Sequence, residues 1–309
     1  MVRLSQLLVA FACLALSPPL WADGNGPVFG YSTATLGVGD IGVGTDVMWR
    51  GGVAMLAPEF TFGWKPNLQL SISAPFHLDH GDHPTGRFMA FSPGDPQVEA
   101  LLGWRFFHSS SGIGTRNEAT VYAGVSALTQ DVPRADGPPL QRQPGTYGAL
   151  AAGHVTRRYD VWIGGGYQHY FRWTSNVVDH QSDSLLSSLV LGWRPSFLNK
   201  DSPKPDVRFF WETTAEKVGL AQRGLSPASG GGHDHDGPPP SPDANGIVTL
   251  PNSGGTGVFS GPTFQMTYKN VALQGGILLP LLDQPNGIQT HERIRAAGGF
   301  TYYFLGRRK

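Results

Sequence analysis

The chain has one cysteine, Cys13, among 309 residues, and only 15 % of its residues are charged. A single thiol cannot form an intrachain disulfide or a CxxC zinc site, so the fold must be held together by other means. The chain also has no apolar run of the roughly 20 residues that a transmembrane helix requires. With a mean hydropathy of -0.18, this excludes a multi-span helical membrane protein. Lys+Arg and Asp+Glu are equal at 23 each, which leaves no bulk attraction to nucleic acid or anionic lipid. There is no P-loop, no Rossmann glycine fingerprint and no basic patch, so neither a nucleotide site nor a nucleic-acid partner is expected.

Glycine and proline are abundant. The 42 Gly and 25 Pro make up about a fifth of the chain, well above ordinary usage, and point to many short elements joined by turns. Residues 1–22 carry Arg3, an apolar run from Leu7 to Leu16, Pro18 and Pro19, and the small residue Ala22. That is the layout of a secretory signal peptide cleaved near Ala22. Cys13 lies inside this run, so the exported part, residues 23–309, is expected to contain no cysteine.

Beyond residue 25 the pattern is alternation, not a helical period. Twelve windows alternate apolar and polar residues. The clearest is Arg293 to Phe304, with Ile294, Ala296, Gly298, Phe300, Tyr302 and Phe304 on one face. Others include Leu68 to Phe76, Val98 to Phe106, Val121 to Ala127, Val161 to Tyr167, Leu189 to Trp193, Val207 to Trp211, Phe264 to Tyr268 and Leu273 to Leu279. Less regular windows lie near residues 30–44, 53–64 and 146–156. Counted back from Phe304, the connections alternate between a shorter set (65–67, 109–117, 157–160, 195–205, 269–270) and a mostly longer set rich in Gly, Pro, Asp and His. The longer set covers residues 79–94, 131–145, 174–183, 219–254 and 282–291.

Short periplasmic turns, long external loops, an even strand number and a last strand ending in the periplasm describe a bacterial outer-membrane barrel. Trp64, Trp104, Trp193, Tyr268 and Phe304 all fall toward periplasmic strand ends, where they would form an aromatic girdle. The competing fold, a soluble periplasmic β-sandwich, has shorter strands and no reason for such a girdle. The expectation is therefore an all-β, antiparallel transmembrane barrel of about 12 strands at residues 23–309, with 219–254 as its longest external loop. Its surroundings would be outer-membrane lipid, reached through the barrel-assembly machinery.

Two segments point to a family. FSPGDPQVEALLGWRFF, from Phe91 to Phe107, resembles the opening strand of outer-membrane transporters of the MetA-pathway of phenol degradation. GVFSGPTFQMTYKNVALQGGILLPL, from Gly257 to Leu281, is similar to their penultimate hairpin. The chain departs from that pattern at Gly124 to Asp131 and in the LGRRK tail after Phe304. The resemblance implies a transport channel for a small solute of aromatic or other hydrophobic character.

Chemistry-bearing residues fall into two groups. Strand parity sends Arg105, Arg172, Arg194, Arg208, Arg293 and Arg295 into the lumen with Glu59, Glu99, Glu212 and Glu216. Such residues either set the field that screens solutes or pair across a filled interior. Their slight cationic excess favours neutral or anionic solutes. The second group is His77, His80 and His83 in HLDHGDHP and His233 and His235 in GGHDHDG, on the external side with neighbouring aspartates. Imidazole and carboxylate one or two positions apart suit a divalent metal, though the same composition makes soluble loops. No other cofactor is indicated. His154 and His169 lie within strands without a Ser or Asp at a recognisable catalytic spacing, so no enzyme is expected. A metal-related protein using the histidine loops, or a structural barrel without transport, remains the alternative to a channel.

Overall fold

The computed structural model describes residues 26–33, 35–50, 53–77, 97–111, 114–128, 132–134, 137–140, 143–171, 182–197, 205–224, 247–249, 254–287 and 291–306. The expected signal peptide, His80, His83, His233, His235 and Arg172 lie outside these residues, as does the side chain of His77.

The architecture is a closed antiparallel barrel of 12 strands. They are β1 (Ile41–Arg50), β2 (Val53–Lys65), β3 (Leu68–Ser73), β4 (Gln97–Ser110), β5 (Arg116–Leu128) and β6 (Pro144–Val155), then β7 (Tyr159–Tyr170), β8 (Ser184–Trp193), β9 (Asp206–Val218), β10 (Gly255–Tyr268), β11 (Val271–Pro285) and β12 (Arg295–Phe304). β3 is interrupted at Ala74 and Pro75. It resumes as Phe76–His77, which pairs with β2 at Leu56 and Met55. Every strand pairs with its sequence neighbour. The ring closes where β1 meets β12, in a register running from Ile41↔Phe304 to Arg50↔Arg295. Closure removes the unpaired edges that a bilayer does not tolerate.

Alternation sets the two faces. In β8 every second residue is buried: Ser184, Leu186, Ser188, Val190 and Gly192 face inward, while Leu185, Leu189, Leu191 and Trp193 are exposed. The same holds for Val98, Leu102, Trp104 and Phe106 on β4, and for Phe209 and Trp211 on β9. An exposed belt this apolar around a closed barrel is stable only against lipid, which places the protein in the outer membrane. Trp64, Trp193, Tyr268 and Phe304 are exposed near strand ends on one rim, as an interfacial girdle requires, while Trp104 is exposed mid-strand in β4, level with Leu68 at the start of β3.

One expected strand is displaced. Residues 30–44 alternate weakly and read as the first strand, but β1 begins only at Ile41. Residues 26–33 and 35–37 instead lie inside the barrel without strand pairing, the chain bending at Val28 to Gly30. A turn at Val38 and Gly39 leads from this segment into β1. There Gly39 N donates to Gly63 O at 2.8 Å and Gly63 N donates to Asp40 O at 2.9 Å. A side chain at Gly63 would collide with the carbonyl of Gly37, so glycine is what lets the inner segment pass close over β2. The external β1–β2 connection, residues 51–52, is also short where its side of the barrel otherwise has longer loops.

Candidate functional site

The lumen is the candidate site, and the inner segment is its main occupant. The segment crosses the wall strands and is fastened mostly by their side chains. Gly26 N donates to Gln265 Oε1 of β10 at 3.2 Å. Val28, Phe29 and Gly30 N–H groups all donate to the Glu212 carboxylate of β9, at 2.7, 2.8 and 2.8 Å. Tyr31 N donates to Ser188 Oγ of β8 at 3.0 Å, and its ring lies over Gly164 and Gly166 of β7, where a Cβ would overlap it. Tyr122 OH donates to Ser32 O. Thr33 Oγ1 donates to Glu118 at 3.1 Å, and Thr120 Oγ1 returns a hydrogen bond to Thr33 O at 2.8 Å. Leu36 N donates to Gln69 Oε1 of β3 at 3.1 Å.

Glu212 is the strongest of these anchors. Its side chain is fully buried and also accepts from Thr263 Oγ1. A buried carboxylate needs donors in place of the lost water. Here four donors converge, three of them consecutive backbone amides, and hydrogen bonds to a charged acceptor are roughly twice as strong as neutral ones.

Four of the sequence-predicted arginines, Arg105, Arg194, Arg208 and Arg295, are tied to acids. Arg105 Nη1 lies 3.1 Å from Glu118, which also receives Arg116 Nε at 3.4 Å and His108 Nδ1 at 3.2 Å. Arg194 pairs with Asp206. Arg208 Nη1 lies 2.9 Å from Asp160, with Asp206 within 3.5 Å of its Nε. Arg295 pairs with Glu216 and Glu292 and lays its guanidinium 3.4 Å from the centre of the Phe259 ring. Arg293, just ahead of β12, is exposed. The paired arginines are therefore not free charges offered to a solute, which removes the basis for an anion preference.

The remaining wall, β1 to β4, is acidic. Glu59, Ser73 and Glu99 stand in direct register across β2, β3 and β4. Glu59 points inward yet is exposed, so water-accessible lumen lies beside it. Thr61 Oγ1 donates to Glu59 at 2.9 Å, and Gln274 donates to Asp46 at 3.1 Å.

Sequence reasoning missed Glu118 and the whole inner segment. Glu118 was reachable by parity, since Arg116, Glu118 and Thr120 alternate inward. The segment carries no local signal, because its partners are distant in the chain. His154 faces outward against Asn117. His169, also outward, donates or accepts at Asp183 at 2.8 Å, and Tyr167 OH donates to the same carboxylate. Among the described residues no group of three or more His, Cys, Asp and Glu is arranged to hold a metal.

No family profile matches the sequence, and no curated protein matches it. Solved structures do match by fold. An outer membrane channel from Pseudomonas putida F1 is 14 % identical, covers 91 % of this chain and 100 % of its own, and superimposes with a TM-score of 0.54. The NanC porin (10 % identical, 85 % and 98 % covered, TM-score 0.43) and LpxR from Salmonella typhimurium (10 % identical, 85 % and 100 % covered, TM-score 0.44) align less closely. The fold, with its lipid-facing belt and closed ladder, is that of a 12-strand outer-membrane β-barrel.

Proposed function

We propose that the protein is a passive outer-membrane channel for a small aromatic or hydrophobic solute, closed by its own residues 26–37. The observation that carries this reading is the way the inner segment is held. The barrel wall is complete without it, because β1 already pairs with β12. The segment contributes no strand and is fastened largely by side-chain hydrogen bonds. It can therefore leave without opening the wall, whereas a purely structural filler has no need of a detachable attachment. The fold shared with the Pseudomonas putida F1 channel supports the reading. The solute class rests on the sequence resemblance to the phenol-degradation transporters.

The test is liposome swelling and planar-bilayer conductance of the intact protein and of a variant lacking residues 26–37. The channel reading expects the deletion to raise conductance strongly and to admit phenolic solutes. If the shortened protein folds, as judged by heat-modifiable migration, and passes neither ions nor phenolics, the barrel is structural and the proposal fails. Swelling with divalent metal salts in the same assay examines the histidine loops.

A further inference from the structure

The lumen is not uniformly polar. Several apolar clusters interrupt its charged and hydroxylated groups, and in one of them Val218 at the end of β9, Phe259 of β10 and Leu278 of β11 are almost fully buried beneath an arginine. Leu278 is in register with Arg295, the first residue of β12, and Val218 ends β9, so the cluster lies in the external half of the barrel, on the side from which a solute arrives. Arg295, fixed by Glu216 and Glu292, covers the Phe259 ring with its guanidinium. Phe29, from the inner segment and not from the wall, packs against the cluster.

We infer that this cluster is a binding pocket for a single benzene-sized ring, that Phe29 occupies it as an internal surrogate, and that an incoming aromatic solute releases the inner segment by displacing Phe29. The inference rests on the channel reading above and adds the solute's binding site and the trigger for opening.

Three observations meet at this residue. Phe29 packs its side chain against a patch of wall that offers both aromatic and aliphatic groups, Phe259 with Val218 and Leu278. An apolar pocket in a wet lumen is stable when filled by apolar surface, whichever molecule supplies it. The neighbouring Phe259 and the Arg295 cation both favour an aromatic occupant over an aliphatic one. Finally, the Phe29 amide is one of the three that Glu212 holds. Moving the ring out of the pocket therefore pulls on the segment's principal anchor, which couples pocket occupancy to closure.

The experiment uses the full protein in liposomes with a reporter thiol, Val28→Cys, and a charged methanethiosulfonate reagent; the parent protein without it gives the background. Phenol is expected to raise the labelling rate several-fold and glycerol to leave it unchanged. The double variant Val28→Cys/Phe29→Ala is expected to label at the raised rate without phenol and to gain nothing from it. Equal labelling of both variants, with no effect of phenol, overturns the inference. Fast labelling of the double variant with no response of Val28→Cys to phenol also overturns it, since Phe29 would then be an anchor and not a ligand surrogate. Neither result bears on the channel reading, which the deletion of residues 26–37 tests separately. As a control for bilayer effects, phenol should not change the conductance of the deletion variant.

Discussion

At the scale of single residues, two positions hold the inner segment in different ways. Glu212 holds it by charge. Replacing it with alanine leaves the amides of Val28, Phe29 and Gly30 without their acceptor, and stranded buried donors cost about 1–3 kcal/mol each when water cannot reach them. Glu212→Ala is expected to raise the mean single-channel conductance and lengthen openings, while Glu212→Gln, which keeps an acceptor oxygen but loses the charge, falls between. Equal open probabilities in all three proteins would show that the carboxylate does not fasten the segment. Gly63 holds it by leaving room. Any Cβ there meets the Gly37 carbonyl, whereas Gly148 on the outer side of β6 has nothing within 4 Å of where a Cβ would sit. Gly63→Ala should lower the temperature at which the folded band is lost on unheated gels, and Gly148→Ala should leave it within error.

At the scale of elements, the strands were legible because each announces its faces locally. Leu189, Leu191 and Trp193 alternate with Ser188, Val190 and Gly192, and a period of two can be read without knowing any partner strand. The same alternation carries a prediction. Leu189 lies near the middle of β8 and faces lipid, so Leu189→Arg is expected to destabilise the barrel by about 2–4 kcal/mol, the cost of a cation near the bilayer midplane. A urea titration of folding into phospholipid vesicles measures it, and an unchanged midpoint would mean that this face is not lipid-exposed. The inner segment was not legible for the complementary reason. Phe29 and Glu212 are 183 residues apart, and Gly26 and Gln265 are 239 apart. The segment has no regular period, because over a few residues it answers in turn to β10, β9, β8, β5 and β3. Weak alternation across residues 30–44 was therefore absorbed into a strand that begins later, at Ile41.

At the scale of the whole molecule, a balanced formal charge conceals a lumen with two unlike walls. Counting inward arginines suggests a cationic interior, but a count cannot tell which charges are already neutralised. The arginines of β4, β5, β9 and β12, and Arg194 just past β8, are consumed by Glu118, Asp160, Asp206, Glu216 and Glu292. Along β1 and β2, Asp46 and Glu59 are met instead by the amide of Gln274 and the hydroxyl of Thr61, which satisfy hydrogen bonds without cancelling charge. The inner segment covers much of the neutralised wall and leaves Glu59 exposed to the lumen. A pore whose wetted side carries carboxylates draws cations and repels anions. In a potassium chloride gradient the protein lacking residues 26–37 is therefore expected to show a reversal potential on the cation-selective side. Glu59→Gln should move that potential toward zero, and raising the salt should shrink it as the charges are screened. An anion-selective potential would mean that arginines other than the paired ones govern the path, and would restore the preference that the sequence alone suggested.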